Sequence, residues 1–307
     1  MQTSFADEIK NVFRKPDNGL WQLIAINVGL WLFLRIVEVI LTITGVSSWG
    51  KAKALYLEYL GLPSALDHLL VRPWTLVTTF FTHYDFFHIL FNMLILYWFG
   101  RILKEYLGNK KLLNTYILGG LSGGLLFILI SNISPLFEGV VTGSSLIGAS
   151  AGVLAVVVGA ATLMPEYQIH LILLGPVRIK YIAGVLVLMS LLGTIGENAG
   201  GDIAHLGGAM IGFFYIRQLQ KGTDWGAWVQ SVLSFFRSFF VRPSNIKVTH
   251  KKPKKSRAAK TKKPASAKGA TSIEQDEIDA ILDKISASGY ESLTKAEKQK
   301  LFNASKK

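Results

Sequence analysis

Four residues combine types and surroundings that suit acyl-transfer chemistry. Ser150 lies between Gly148 and Gly152 in "TGSSLIGASAGVLAVVVGAATLMP", where a loop-like segment becomes an apolar helix. His205 opens another apolar run in "DIAHLGGAMIG", and His88 and Asn92 share one helical face in "FFHILFN", being i and i+4. A serine hydroxyl becomes a nucleophile when a base takes its proton, and neutral imidazole is the usual base near neutral pH. An imidazole and a carboxamide can both donate to a developing oxyanion. On glycine spacing alone Ser150 reads as a packing residue, because small residues four apart let membrane helices approach closely. For His88 and Asn92 the plain alternative is an interhelical hydrogen bond.

The elements that would have to position these groups are membrane spans. The chain has 307 residues, is 50% hydrophobic and has no cysteine, which excludes disulfides and thiolate metal sites. Its mean hydropathy of +0.36 is high for a soluble domain. Six apolar runs are expected to cross, near Leu20–Thr44, Phe81–Leu103, Leu112–Ile130, Ser150–Met164, Ile179–Ile195 and Ile203–Leu219. An even count puts both termini on one side, and Lys and Arg choose it. Lys10, Arg14, Lys15, Arg101, Lys104, Lys110, Lys111, Arg178, Lys180 and Lys221 flank one set of span ends, whereas residues 131–147 and 196–202 carry none. Both termini are therefore expected to be cytoplasmic. The N-terminus carries Asp7, Glu8 and Asp17 and does not read as a signal or transit peptide. The loop from Gly45 to Thr79, with "ALYLEYLGL", reads as short helices in the outer interface.

The fourth span is short, so its outer end should lie below the membrane surface, where irregular backbone survives only inside protein or beside a wet cavity. Ser150 is expected to face such a pocket. Other intramembrane polar groups have plainer roles. Arg35 and Glu38, i and i+3, should neutralise each other. Asp202, one turn before His205, reads as a helix cap, with an orienting carboxylate as the alternative. His83 reads as a structural hydrogen-bonding residue of the outer loops.

Together these residues resemble the rhomboid family of intramembrane serine proteases, from about Arg72 to Gln220. The resemblance is carried by "RPWTLVTTFFTHYDFFHILFN", "GASAG" and "AHLGGAMIG", in order, on the second, fourth and sixth spans. It implies an all-α integral membrane protein with a six-transmembrane-helix bundle at 20–220. Ser150 would be the nucleophile and His205 its general base and acid. His88, Asn92 and the Ser150 amide would form the oxyanion hole. The implied reaction is hydrolysis of a peptide bond in or near a substrate's transmembrane helix, entering past the fifth span, with no metal or organic cofactor. The implied location is a bacterial inner membrane. Three positions depart from the family pattern: Ala151 stands where glycine is common, Leu154 where an aromatic ring often stacks on the histidine, and Glu105 lies one residue late between Gly100 and Gly108. A non-proteolytic relative would generally lack the serine or the histidine, and both are present here. A solute transporter would show inverted repeats or paired broken helices, and none is evident.

The net charge of +13 is concentrated beyond the spans. Residues 1–19 form a cytoplasmic segment and 221–272 a basic linker, in which Lys247 to Lys268 hold ten Lys or Arg and no acid. Without interleaved aromatics this suits contact with anionic lipid, or simple solvation, better than nucleic acid. Residues 273–307 read as a small helical module, with Ile278, Ile281, Leu282 and Ile285 on one face, a stop at Gly289, and a capping box in "TKAE", Thr294–Glu297. It resembles a short module appended to some bacterial members of the family. The expected partners are membrane-protein substrates and the bilayer itself.

Overall fold

The runs rich in Leu, Ile, Val and Phe form helices, and their order sets the architecture. The computed structural model describes residues 12, 18–46, 48–135, 145–171, 175–240, 277–285 and 292–304. Helix α1 is Gly19–Ile43, α2 Trp49–Leu60, α3 Leu66–Val71 and α4 Thr75–Thr78, followed by a 3-10 turn at Thr79–Phe81. Helix α5 is Phe86–Ile133, α6 Ser150–Leu163, α7 Ile179–Gly193, α8 Ala199–Gln220 and α9 Ala227–Phe240.

Helix α5 is two arms, 86–107 and 109–133, because Gly108 turns the chain with φ 79° and ψ 165°. Only glycine enters that region without strain. The turn folds the arms together, so that Leu112 reaches Gly100. Among the described residues, Gly19–Ile43 and Phe86–Ile133 are long and apolar enough to cross a bilayer by themselves. At 14 residues α6 is about 21 Å long, shorter than the hydrocarbon core of about 30 Å.

The core is α5, α6 and α8, with α1 on α5 and α7 at the edge against α6 and α8. Small residues allow that approach. A side chain on Gly208 would strike the Ala151 carbonyl, one on Gly212 the Ala155 carbonyl, and one on Gly123 both the Ala204 carbonyl and the Ala151 methyl. Ser122 Oγ adds a 3.0 Å hydrogen bond to the Gly207 carbonyl. Buried polar groups fasten α1: Asn27 donates to Tyr116 Oη at 3.2 Å, and Tyr116 donates to the Phe80 carbonyl at 2.7 Å. Arg35 and Glu38 pair at 2.6 Å as expected, with the guanidinium 4.0 Å from the Tyr84 ring centre.

Two expectations need correction. The fold is not purely helical: β1 (Leu62–Pro63) pairs antiparallel with β2 (Ser145–Leu146), and β3 (Gln168–Leu171) with β4 (Gly175–Arg178). These strands have two to four residues, too short for an alternation pattern to declare them. The linker expected from 221 begins instead with the ordered helix α9. The rest of that linker, including Lys247–Lys268, and the stop at Gly289 lie outside the described residues.

The chain divides into two units, 1–244 and 245–307. In the second, residues 277–285 form α10 and Lys295–Ala304 form α11, with Ile281 and Leu293 buried. The capping box is present: the Thr294 amide donates to Glu297 Oε2 at 2.7 Å, and the Glu297 amide to Thr294 Oγ1 at 3.3 Å. The Thr294 amide foremost, then Lys284, holds the Glu297 carboxyl down at about 2 from its ordinary 4.5. A carboxylate depressed on folding contributes stability that is complete above its ordinary value and is lost as pH falls through the folded one. The protection factor of the first-turn amides of α11 in the whole chain, measured against intrinsic exchange at each pH, is therefore expected to fall as pH drops from about 5 toward 2. In Glu297→Gln that turn should already exchange fast at neutral pH, with the acid-dependent step gone.

Candidate active site

Ser150 is the first residue of α6, and the segment before it is tied down at every step. Leu146 pairs with Leu62, and its carbonyl accepts the Thr79 hydroxyl at 2.5 Å. The Gly148 amide donates to the Thr79 carbonyl at 2.9 Å, and the Ala149 amide to His83 Nε2 at 3.2 Å. Gly148 has φ 124°, which swings the chain into the helix. The first amides of a helix lack intrahelical acceptors and carry the positive end of its dipole. Ser150 thus sits where negative charge on a neighbouring oxygen is favoured.

His83, His88 and Asn92 gather on the same segment. His83 Nε2 also receives Asn92 Nδ2 at 3.2 Å. Accepting from two amides, Nε2 must be bare, so the proton of His83 is on Nδ1. The expected structural role of His83 is observed, in supporting Ala149 and Asn92 from one buried ring. The His88 ring stacks edge-on to His83 with centres 5.1 Å apart. It lies against Gly148, where a Cβ would be 2.7 Å from Cε1 and 2.8 Å from Nε2.

His205 lies nearly two turns into α8 and is engaged through Nδ1. Ser190 Oγ on α7 is 3.1 Å from that nitrogen, and Asp202 Oδ1 is 3.4 Å from it. The residue at the cap of α8 is Asn198, so Asp202 serves as neighbour to the imidazole instead of as the expected cap. Its carboxylate packs on Gly193 of α7 so closely that a side chain there would collide with it. With Nδ1 held, Nε2 is the nitrogen left to act. Ser190 was not singled out from the sequence; the available signal was a lone hydroxyl inside "VLVLMSLLG", an apolar run.

Two cavities bring these groups together. One of about 420 Å³ is lined by Asn92, Ser150, Leu154, Ser190, Asp202 and His205, among others. The other, of about 390 Å³, includes His88, Asn92, Ser150 and His205 in its wall. Asn92, Ser150 and His205 are common to both, so a molecule spanning the cavities would pass over all three. Of the departures from the family pattern, Ala151 fits because its methyl fills the space beside Gly123. Leu154 is buried and gives the cavity an apolar wall, leaving the orientation of His205 to Ser190 and Asp202. Among the described residues no cluster of three or more His, Cys, Asp or Glu could hold a metal ion.

Comparison with known proteins follows the same residues. Residues 71–221 match the rhomboid domain model, and residues 271–307 match a family of unknown function, DUF6576. The chain is 34% identical over 150 residues to presenilin-associated rhomboid-like protein A, mitochondrial, of Danio rerio, covering 47% of this chain and 37% of that protein. It is 29% identical over 160 residues to RHOMBOID-like protein 12, mitochondrial, of Arabidopsis thaliana, covering 49% and 48%. To presenilin-associated rhomboid-like protein, mitochondrial, of Homo sapiens it is 30% identical over 155 residues, covering 48% and 38%. The matched region thus spans between about a third and a half of these relatives, with 37% and 48% at the extremes. Their names place those relatives in mitochondria and lend no support to the bacterial inner membrane expected from the sequence. By the domain at 71–221 and the apolar helices that build it, the chain is an integral membrane protein of the rhomboid family.

Proposed function

We propose that the chain is an intramembrane serine endopeptidase working by a Ser150–His205 dyad. The observation that carries this is the meeting of Ser150, His205 and Asn92 on two adjoining cavities, with Ser150 at a helix N-terminus. His205 Nε2 takes the proton as Ser150 Oγ attacks the carbonyl carbon of the scissile peptide. The oxyanion draws on the Ser150 amide, Asn92 Nδ2 and His88. Collapse passes the proton to the leaving amine, and water then repeats the sequence to release the acid and restore the serine. The substrates are transmembrane or juxtamembrane segments, favoured where the helix is weak and the side chains are small. The helices at 20–220 cross the bilayer six times, with both termini on the side of the basic loops.

The test uses the purified protein in proteoliposomes with a fluorophosphonate probe and a helical membrane substrate. Wild type is expected to be labelled and to cleave; Ser150→Ala should do neither. Undiminished cleavage by Ser150→Ala would sink the assignment. Asn92→Ala should fold and take the label, but with turnover reduced roughly a hundred- to a thousandfold, as for loss of one oxyanion donor. The check is kcat at saturating substrate.

A further inference from the structure

We infer that α9 is an interfacial helix that lays its aromatic face into anionic lipid beside the basic loop of α5. This goes beyond the catalytic reading and does not depend on it. A polar clamp fixes the start of the helix. Asp224 pairs with Lys111 and accepts the Tyr215 hydroxyl at 2.8 Å and the Gly226 amide at 3.0 Å. Asn114 Nδ2 donates to Tyr215 Oη at 3.1 Å, and Gln230 Nε2 donates to Asn114 Oδ1 at 2.5 Å and to the Lys110 carbonyl at 3.2 Å. These bonds hold α9 against the turn of α5 where Lys110 and Lys111 lie, the end of the bundle that carries the positive loops.

Within α9, Val229 is buried, while Trp228, Val232, Phe235, Phe236 and Phe239 are exposed. Wound at 100° per residue, Trp228, Val229, Val232, Phe236 and Phe239 share one side, and Gln230, Ser231, Ser234 and Ser238 the other. A helix of this kind in water would leave its largest side chains unpartnered. At the membrane boundary it buries them among acyl chains and keeps its serines wet. Trp225 and Trp228, each about half exposed at 46% and 50%, stand at the level where indoles favour the headgroup region. The charge supports anionic lipid: Lys110 lies beside the clamp, and ten Lys or Arg without an acid follow the helix in sequence at Lys247–Lys268.

The chain contains no cysteine, so single-cysteine labelling needs no prior substitution. Spin labels placed in turn from Ser231→Cys to Phe239→Cys, in the full chain in proteoliposomes, report access to oxygen and to a water-soluble nickel chelate. The ratio of oxygen to nickel access should oscillate with a period of about 3.6 residues. Maxima are expected at Val232, Phe236 and Phe239, and minima at Ser231, Ser234 and Ser238. Mixing phosphatidylglycerol into phosphatidylcholine vesicles should raise the maxima, and high salt should lower them again. Uniform nickel access would overturn the inference. So would labels shielded from both reagents, which would place protein, such as a second copy, on this face. An oscillation indifferent to phosphatidylglycerol would overturn the choice of anionic lipid.

Discussion

His205→Ala is expected to lower turnover by roughly four to six orders of magnitude while leaving the bundle folded. The loss is large under the proposed dyad, in which His205 alone takes the Ser150 proton; among the other described imidazoles on this segment, His83 Nε2 is filled by two amides and His88 is assigned to the oxyanion. The fold should survive because the close contacts of α8 with α5 and α6 run through Gly207, Gly208 and Gly212, and His205 adds a single hydrogen bond to Ser190 of α7. Fluorophosphonate labelling should fall with turnover, since both require an activated serine. Neighbours of Nδ1 should matter less. Ser190→Ala and Asp202→Asn each leave the other contact in place, so the imidazole is loosened but not lost. Each is expected to cost roughly ten- to a hundredfold, in kcat more than in KM. Should Asp202→Asn fall as far as His205→Ala, the dyad would have to be rewritten as a triad.

The difference between His205 and Ser190 shows what a sequence can reveal. A histidine in an apolar run is costly enough to demand a reason, and so is an asparagine four residues after another histidine. These types announced themselves. A serine in a helix can satisfy its hydroxyl on its own backbone, as Ser131 does on the Phe127 carbonyl at 2.6 Å, so Ser190 carried no comparable signal. The break between the arms of α5 was legible because Lys104, Lys110 and Lys111 separate the apolar run ending at Leu103 from the one beginning at Leu112. The strap of Leu62 on Leu146 was not, since it joins positions far apart in the chain through two residue pairs. Helix α9 was hidden by its composition: beyond Ala227 it is rich in Ser and Phe and has no Glu, Lys or further Ala to mark a helix, and its amphipathic pattern appears only on winding it. Asp202 was misread because one turn of helix serves equally to cap an end or to reach a side chain, and only the fold decides between them.

Gly148→Ala is expected to abolish most of the activity, by about a hundredfold or more, without unfolding the protein. Two effects add. At φ 124° an L side chain is strained, typically by about 1–3 kcal/mol. The new methyl would also lie 2.7 Å from His88 Cε1 and 2.8 Å from Nε2, closer than carbon atoms tolerate. The loop cannot yield easily, because Gly148 N–H is bonded to Thr79 and Ala149 N–H to His83. The His88 ring must therefore turn away, and the same methyl would stand 3.8 Å from Ser150 Oγ, on the approach of a substrate carbonyl. Gly45→Ala is the matched control: at φ 70° it carries backbone strain of the same kind, but nothing lies within 4 Å of the new methyl. It should lower thermal stability and leave kcat alone, whereas Gly148→Ala should lower kcat at any temperature where the bundle is folded. If Gly148→Ala cleaves within a few-fold of wild type, the His88 ring is not part of the oxyanion site, and Asn92 with the Ser150 amide must hold the charge alone.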